Sequence, residues 1–309
     1  MRRASAFVRA AAVATAERIE DVEGGLALFC DRLPDVWDLN FVWLDEVPAD
    51  ATAESLAAQA DALQGRAGLD HRHIVVADQE AGARIAREFS ALGWSASTLL
   101  HMEHRRPPDR PRHADVRELD EPGQRPFRER LLREAPERYD DDVVRQLLEA
   151  VHVGSAAVPT RWFAAYAEEE PASVCELYAV GSTSQIEDLN TLEQYRNRGL
   201  ASAVFLHAVE EARAAGAELL FILAEEDDWP WRLYERLGFD PIGRTYAVLR
   251  KPDGLSAGTA DAVATCHVVS VEASGPDEPP RPPSASAARA SPLPAQESLS
   301  SSSAAELMQ

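Results

Sequence analysis

Two segments far apart in the chain read as copies of one another, RIAREFSALGW from Arg84 to Trp94 and PWRLYERLGF from Pro230 to Phe239. Setting Leu92-Gly93-Trp94 on Leu237-Gly238-Phe239 also sets IVVA on LLFI and Pro107 on Pro252, without a gap. Each copy is an apolar run, a helical stretch closed by Leu-Gly, and a second apolar run, so the chain repeats a strand, helix, strand unit. Further upstream, VWDLN (Val36 to Asn40) echoes IEDLN (Ile186 to Asn190) at a slightly different spacing, which a small insertion explains. An ordered set of matches of this kind restricts the fold to two related halves of mixed α/β type.

Periodicity fills in the second half. ADVREL reads as a strand, residues 126–151 as two helical stretches broken near Pro136, and TRWFAAYAEE with ASVCELYAVG as a hairpin running on into SQIEDLNT. From Leu200 to Ala214, apolar residues at 200, 204, 205, 208, 209 and 212 form a helical stripe that Gly216 ends. ELLFILA reads as a buried strand, Pro230 to Arg236 as a short helix and GRTYAVLRK as the last strand. The order predicts an α/β (α+β) fold with an open, mixed, mostly antiparallel sheet flanked by helices.

Composition narrows the partners. A formal charge of -21 disfavours a nucleic acid, whose binding needs a basic face that displaces counterions. Cys30, Cys175 and Cys266 are far apart and odd in number, which points to neither a disulfide framework nor a zinc site. No run approaches the roughly 20 apolar residues that span a bilayer, and Arg9 and Glu17 break the alanine-rich opening, which reads as an amphipathic helix. The expectation is a cytoplasmic protein with no membrane partner, as a monomer or homodimer. Residues 253–309, rich in Pro, Ser and Ala, bury too little to offset ordering and are expected to form a disordered tail, with CHVVSVEAS as a candidate edge strand.

The stretch LEQYRNRGLASAV places two arginines and a glycine directly before a helix. A loop feeding into a helix leaves amides unpaired with the positive end of the dipole behind them, an anion site; a plain helix start with two solvated arginines reads equally well from these residues alone. Here the sequence resembles the GCN5-related N-acetyltransferase (GNAT) family. Arg196-Asn197-Arg198-Gly199-Leu200-Ala201 fills the family's acetyl-CoA loop, IEDLNT its preceding strand, and Tyr234 in LYERLGF its second marker. The resemblance covers about residues 114–251.

That resemblance implies a GNAT fold over 114–252, joined by a linker at 108–113 to a degenerate GNAT-like copy at 1–107. It implies acetyl-CoA as cosubstrate, with Arg196, Asn197, Arg198, Gly199, Leu200 and Ala201 at the pyrophosphate and Leu189, Asn190 and Thr191 along the pantetheine arm. It makes Tyr234 the general acid toward the departing thiolate, with a core aromatic as the other reading. Many family members carry a glutamate base where this chain has Gln185, which cannot accept a proton; Glu187, two residues on and on the same face, takes the role or is a solvated strand charge. Asn197 stands where the family usually has a second glycine. The implied function is an acyl-CoA-dependent N-acyltransferase that moves acetyl to a primary amine, either small molecule or peptide, without a metal. The alternative is a catalytically weak CoA sensor or protein-interaction module.

Other residues read as structural. Asp227 and Asp228 are expected to cap the helix at Pro230, and His71 and His73 to be a surface pair rather than metal ligands. Arg161, Trp162, Tyr166 and Tyr178 lie on strands that could flank an acceptor pocket, and core packing explains the aromatics equally well. The first copy has acidic residues where the second has its arginine and glycine loop, with Thr52 placed to cap the helix that follows.

Overall fold

The computed structural model describes residues 1–111, 113–135 and 138–252. The expected tail from 253, with Cys266 and the CHVVSVEAS segment, lies outside the described residues. The first half runs α1 (Arg2–Thr15), β1 (Arg18–Val22), β2 (Gly25–Phe29), β3 (Phe41–Leu44), α2 (Ala53–Arg66), β4 (Arg72–Val76), α3 (Gln79–Ala91) and β5 (Ser95–His104). The second runs β6 (Val116–Leu119), α4 (Glu121–Glu134), α5 (Asp141–Ala157), β7 (Thr160–Ala167), β8 (Glu170–Val180), β9 (Thr183–Thr191), α6 (Leu200–Ala214), β10 (Leu219–Glu225), α7 (Pro230–Arg236) and β11 (Phe239–Arg250). The last strand starts well before the expected GRTYAVLRK. VWDLN, the upstream echo, forms a 3₁₀ turn at Trp37–Leu39 instead of a strand, and the counterpart of β9 is β3, just after it.

One 11-stranded sheet holds both halves, in the order β1-β2-β3-β4-β11-β5-β10-β9-β8-β7-β6. Its neighbours are antiparallel except β3 with β4 and β9 with β10. The halves do not merely abut. Strand β11 pairs with β4 of the first half, and β5 pairs with β10 of the second, so each half receives the other's last strand. β5 and β11 also pair with each other along their whole lengths, from His104 opposite Phe239 to Ser95 opposite Leu249.

Side chains follow the exchange. Tyr246 and Val248 of β11 belong to the core that α2 and α3 cover, while Leu100 and Met102 of β5 belong to the core beneath α6 and α7. Each such residue contributes about 1.5–3 kcal/mol by burial, so neither core is complete without the strand it borrows. Two glycines permit the close packing. A Cβ on Gly82 of α3 would meet the Tyr246 ring at 2.3 Å, and one on Gly238, whose φ is +99°, would meet the Arg106 carbonyl oxygen at 2.0 Å. On the other face α1 packs on Leu219, Phe221 and Leu223 of β10 and on Phe41, Trp43 and Val75 of the first half, spanning both halves.

Candidate active site

Strand β9 is buried over its full length, yet it meets β10 only from Thr183 to Gln185. Beyond Gln185 and Phe221 the two parallel strands diverge, since β10 continues in register with β5 as far as Glu225. The β10-facing edge from Ile186 to Thr191 therefore has no strand partner among the described residues, which leaves room beside it for an extended ligand; of the carbonyls in this stretch, that of Thr191 accepts from Arg196 and that of Asp188 from the Asn190 side chain. A bulge against β8 lies at the same place. The register slips between Val174 and Glu176, and Asp188 takes a φ of +53°, which few non-glycine residues adopt.

Buried ion pairs hold that strained residue. Arg128 of α4 donates to Glu176 at 2.6 Å and to Asp188, and all three side chains are almost fully buried. The Tyr178 hydroxyl donates to Glu176 at 2.7 Å, and the Asn190 amide donates to Asp188 at 2.7 Å. Sequence reading missed this network, because Arg128 sits in a helix full of arginines and nothing local distinguishes it. Beside it stands Glu187, 2 % exposed, which accepts from the side-chain amide of Gln185. Burial first, and the charge of Glu176 second, hold the Glu187 carboxyl well above the usual carboxylate range; Asp38, from the first half, adds to the rise. A carboxylate in that condition takes a proton at neutral pH far more readily than a solvated one.

At the end of β9 the chain turns through Glu193–Tyr195 and enters α6 with Gly199 as N-cap, at φ +77° and with no side-chain cap. Ala203 is the first residue to donate back, to the Gly199 carbonyl, so the amides of Leu200, Ala201 and Ser202 at the helix start point outward without intrahelical acceptors. Asn197 also has a positive φ, +63°, a conformation that asparagine tolerates better than most residues. Arg196 folds back to the Thr191 carbonyl at 3.4 Å, and Arg198 lies over the Tyr195 ring, 3.6 Å from Glu168. Tyr234 of α7 is buried and stacks on Phe205 of α6, with centroids 5.2 Å apart at an interplanar angle of 15°. Burial raises its phenol, and the charge of Glu187 raises it further, which places these two side chains in one electrostatic neighbourhood.

A cavity of about 490 Å³ opens on the α1 face of the sheet and draws its walls from both halves. Gln185 and Tyr178 reach it from the second half, and Asp38, Trp43 and His73 from the first. Of the four side chains proposed to flank an acceptor, Tyr178 lines it, whereas Arg161 turns to Glu118 and Glu211, Tyr166 packs under Arg117, and Trp162 is simply buried. Asp227 and Asp228 also line the cavity and do not cap α7, whose N-cap is Trp229; Asp228 accepts from the Trp229 amide next to it. The histidine pair is likewise not at the surface. His71 is 1 % and His73 5 % exposed, because they pack on Trp37 and Phe41, and burial lowers them to about 3 and about 4. His71 contacts the Asn40 carbonyl at 2.9 Å, and no cluster of three metal-ligating side chains occurs among the described residues.

Residues 124–239 match the family described as Acetyltransferase (GNAT) family. No curated protein sequence matches the chain. A functionally unknown conserved protein from Staphylococcus epidermidis superposes with a TM-score of 0.61 at 13 % identity, over 77 % of this chain and 94 % of its own. A GCN5-related N-acetyltransferase from Kribbella flavida superposes with a TM-score of 0.57 at 17 % identity, over 82 % and 96 % respectively. At such identities the likeness speaks for the fold, and it extends well beyond the segment that the family match covers.

Proposed function

Because residues 124–239 carry a domain of the GNAT acetyltransferase family, we propose that this protein is an acyl-CoA-dependent N-acyltransferase that moves acetyl from acetyl-CoA to a primary amine by direct attack. The observation that carries the reading is the divergence of β9 from β10 immediately before a helix start capped by a left-handed glycine. The thioester supplies an activated acetyl group; the chain supplies position and proton transfer. Leu189, Asn190 and Thr191 pair along the pantetheine arm, and the amides of residues 197–201, with Arg196 and Arg198 beside them, hold the pyrophosphate. Glu187 takes the proton of the attacking amine, directly or through a water held with Gln185, and Tyr234 returns one to the leaving sulfur. A backbone N–H of the splayed strand stabilises the developing oxyanion.

The first half is, on this reading, a degenerate copy that cannot bind CoA. β3 and β4 stay paired to the end of β3, and the Ala77 amide closes on the Leu44 carbonyl at 2.9 Å. Thiol release from acetyl-CoA across a panel of amines tests the proposal: release that depends on the amine supports it. CoA binding with no release for any amine would instead leave a CoA sensor.

A further inference from the structure

The cavity between the halves is larger than an amino group requires, and its walls are chemically one-sided. Below lie the sheet residues Phe41, Trp43, Val75, Leu99 and Leu223, and above them Val8, Ala11 and Ala12 of α1. About 490 Å³ suits a ring-bearing molecule, well within the roughly 300–1,000 Å³ of small-ligand sites. The charged lining residues are Asp38, Glu225, Asp227 and Asp228, and neither Arg nor Lys lines the cavity among the described residues. Its two histidines add no positive charge near neutral pH, because burial lowers His73 and His101 to about 4; at His101 the nearby N-terminal ammonium lowers it a little further.

One polar atom in the wall is left over. His101 is 1 % exposed; its Nε2 meets the Thr245 hydroxyl at 2.7 Å, while its Nδ1 is buried with no hydrogen-bond partner among the described residues. An orphaned buried nitrogen at a cavity wall is costly in the absence of a ligand or water to satisfy it. The cavity also reaches the chemistry already described, through Gln185, which donates to Glu187, and Asp228, whose charge is felt by Tyr234.

We infer that this cavity takes the acceptor, and that the acceptor is a primary amine with an apolar, ring-sized body and no carboxylate. The inference rests on the acyltransferase reading for its role and on the cavity for its chemistry. The ammonium end is drawn by the carboxylates toward Glu187, where it loses its proton before attack. The body fills the apolar part under α1. A carboxylate on the same molecule would face Asp38, Asp227 and Asp228 with no Arg or Lys among the described lining residues to meet it.

Titration calorimetry on the full chain, with CoA present, separates the alternatives by comparing tryptamine with tryptophan and putrescine. Tryptamine is expected to bind at least 30-fold more tightly than either, since tryptophan adds a carboxylate and putrescine lacks the ring. Asp38→Asn is expected to weaken tryptamine about 10-fold, and Ala12→Trp, which fills the cavity from α1, to abolish its binding; both should leave CoA affinity unchanged. Tryptophan or putrescine binding as well as tryptamine would overturn the inference, and so would undiminished tryptamine binding to Ala12→Trp. If CoA binds and tryptamine does not, the acceptor class is wrong while the acyltransferase reading stands. If tryptamine binds and CoA does not, the cavity assignment stands and the acyltransferase reading fails.

Discussion

Helices α2 and α6 occupy matching places in the two halves, each after a strand that runs parallel to the next, and their first turns are built in opposite ways. Thr52 accepts from the Ser55 amide while the Ser55 hydroxyl meets the Thr52 amide, a closed capping box, and Glu88 takes the amide of Ala53. α6 begins at a bare glycine with no side chain turned back on its amides. The strands before them differ in the same sense: β3 stays in register with β4, whereas β9 leaves β10 after three residues and carries a bulge. One half has satisfied its own polar groups and the other has kept them open. On the proposed reading, the ligand site is a set of hydrogen bonds that the protein does not make with itself.

The contrast can be broken most sharply at Gly199. Valine there would need a left-handed backbone that a β-branched residue resists, and its side chain would stand before the amides, so Gly199→Val should weaken CoA binding by at least about 100-fold. Calorimetry should give one CoA per chain for the wild type and none for the variant; two per chain would mean that the closed helix start of the first half also binds. The next effect is at Tyr234. Replacement by phenylalanine should lower kcat about 100-fold and leave the KM for acetyl-CoA unchanged, and an undiminished kcat would remove its role as acid.

Glu187→Gln should act on stability and activity in opposite directions. Burial keeps the carboxyl above its ordinary 4.5, so the folded chain holds a proton that the unfolded chain releases as pH rises past that value. Wild-type stability is therefore lost as pH climbs from about 4.5 through the raised folded value, and the glutamine variant is spared that loss. Its Tm should exceed the wild type's at pH 8, match it near pH 4, and come with reduced kcat; a lower Tm at pH 8 would contradict the assigned environment. The smallest effect belongs to the closed half. Thr52→Ala should cost about 1 kcal/mol in denaturant unfolding and leave CoA affinity untouched.

What could be read from the sequence was local. Helices α6 and α7 run from Leu200 to Ala214 and from Pro230 to Arg236, as the apolar stripe and the Pro and Gly punctuation indicate. The Thr52 cap was legible for the same reason. Pairing between distant strands was not: β5 and β11 carry similar apolar patterns, so nothing in either says which β-neighbour it takes. Burial of His71 and His73 also escaped notice, because it depends on Trp37 and Phe41 reaching them from a segment that alternation alone does not place. Arg128 shows the same limit for the site. Its meaning comes from Glu176 and Asp188, which only the folded chain brings to it.

The exchange of last strands also bears on how the molecule is made. At about 5–20 residues per second, roughly 7–30 s separate the synthesis of His104 from that of Arg250, where β11 ends. Until then the first half, though fully translated, lacks Tyr246 and Val248, and the apolar groups of α2, α3 and β4 that those residues cover stay open to water and to other nascent chains. Pairings across so long a stretch of chain are slow to form. The nascent first half must therefore wait for the end of the second, and the interval in which it waits is the time at which this protein is most exposed to aggregation.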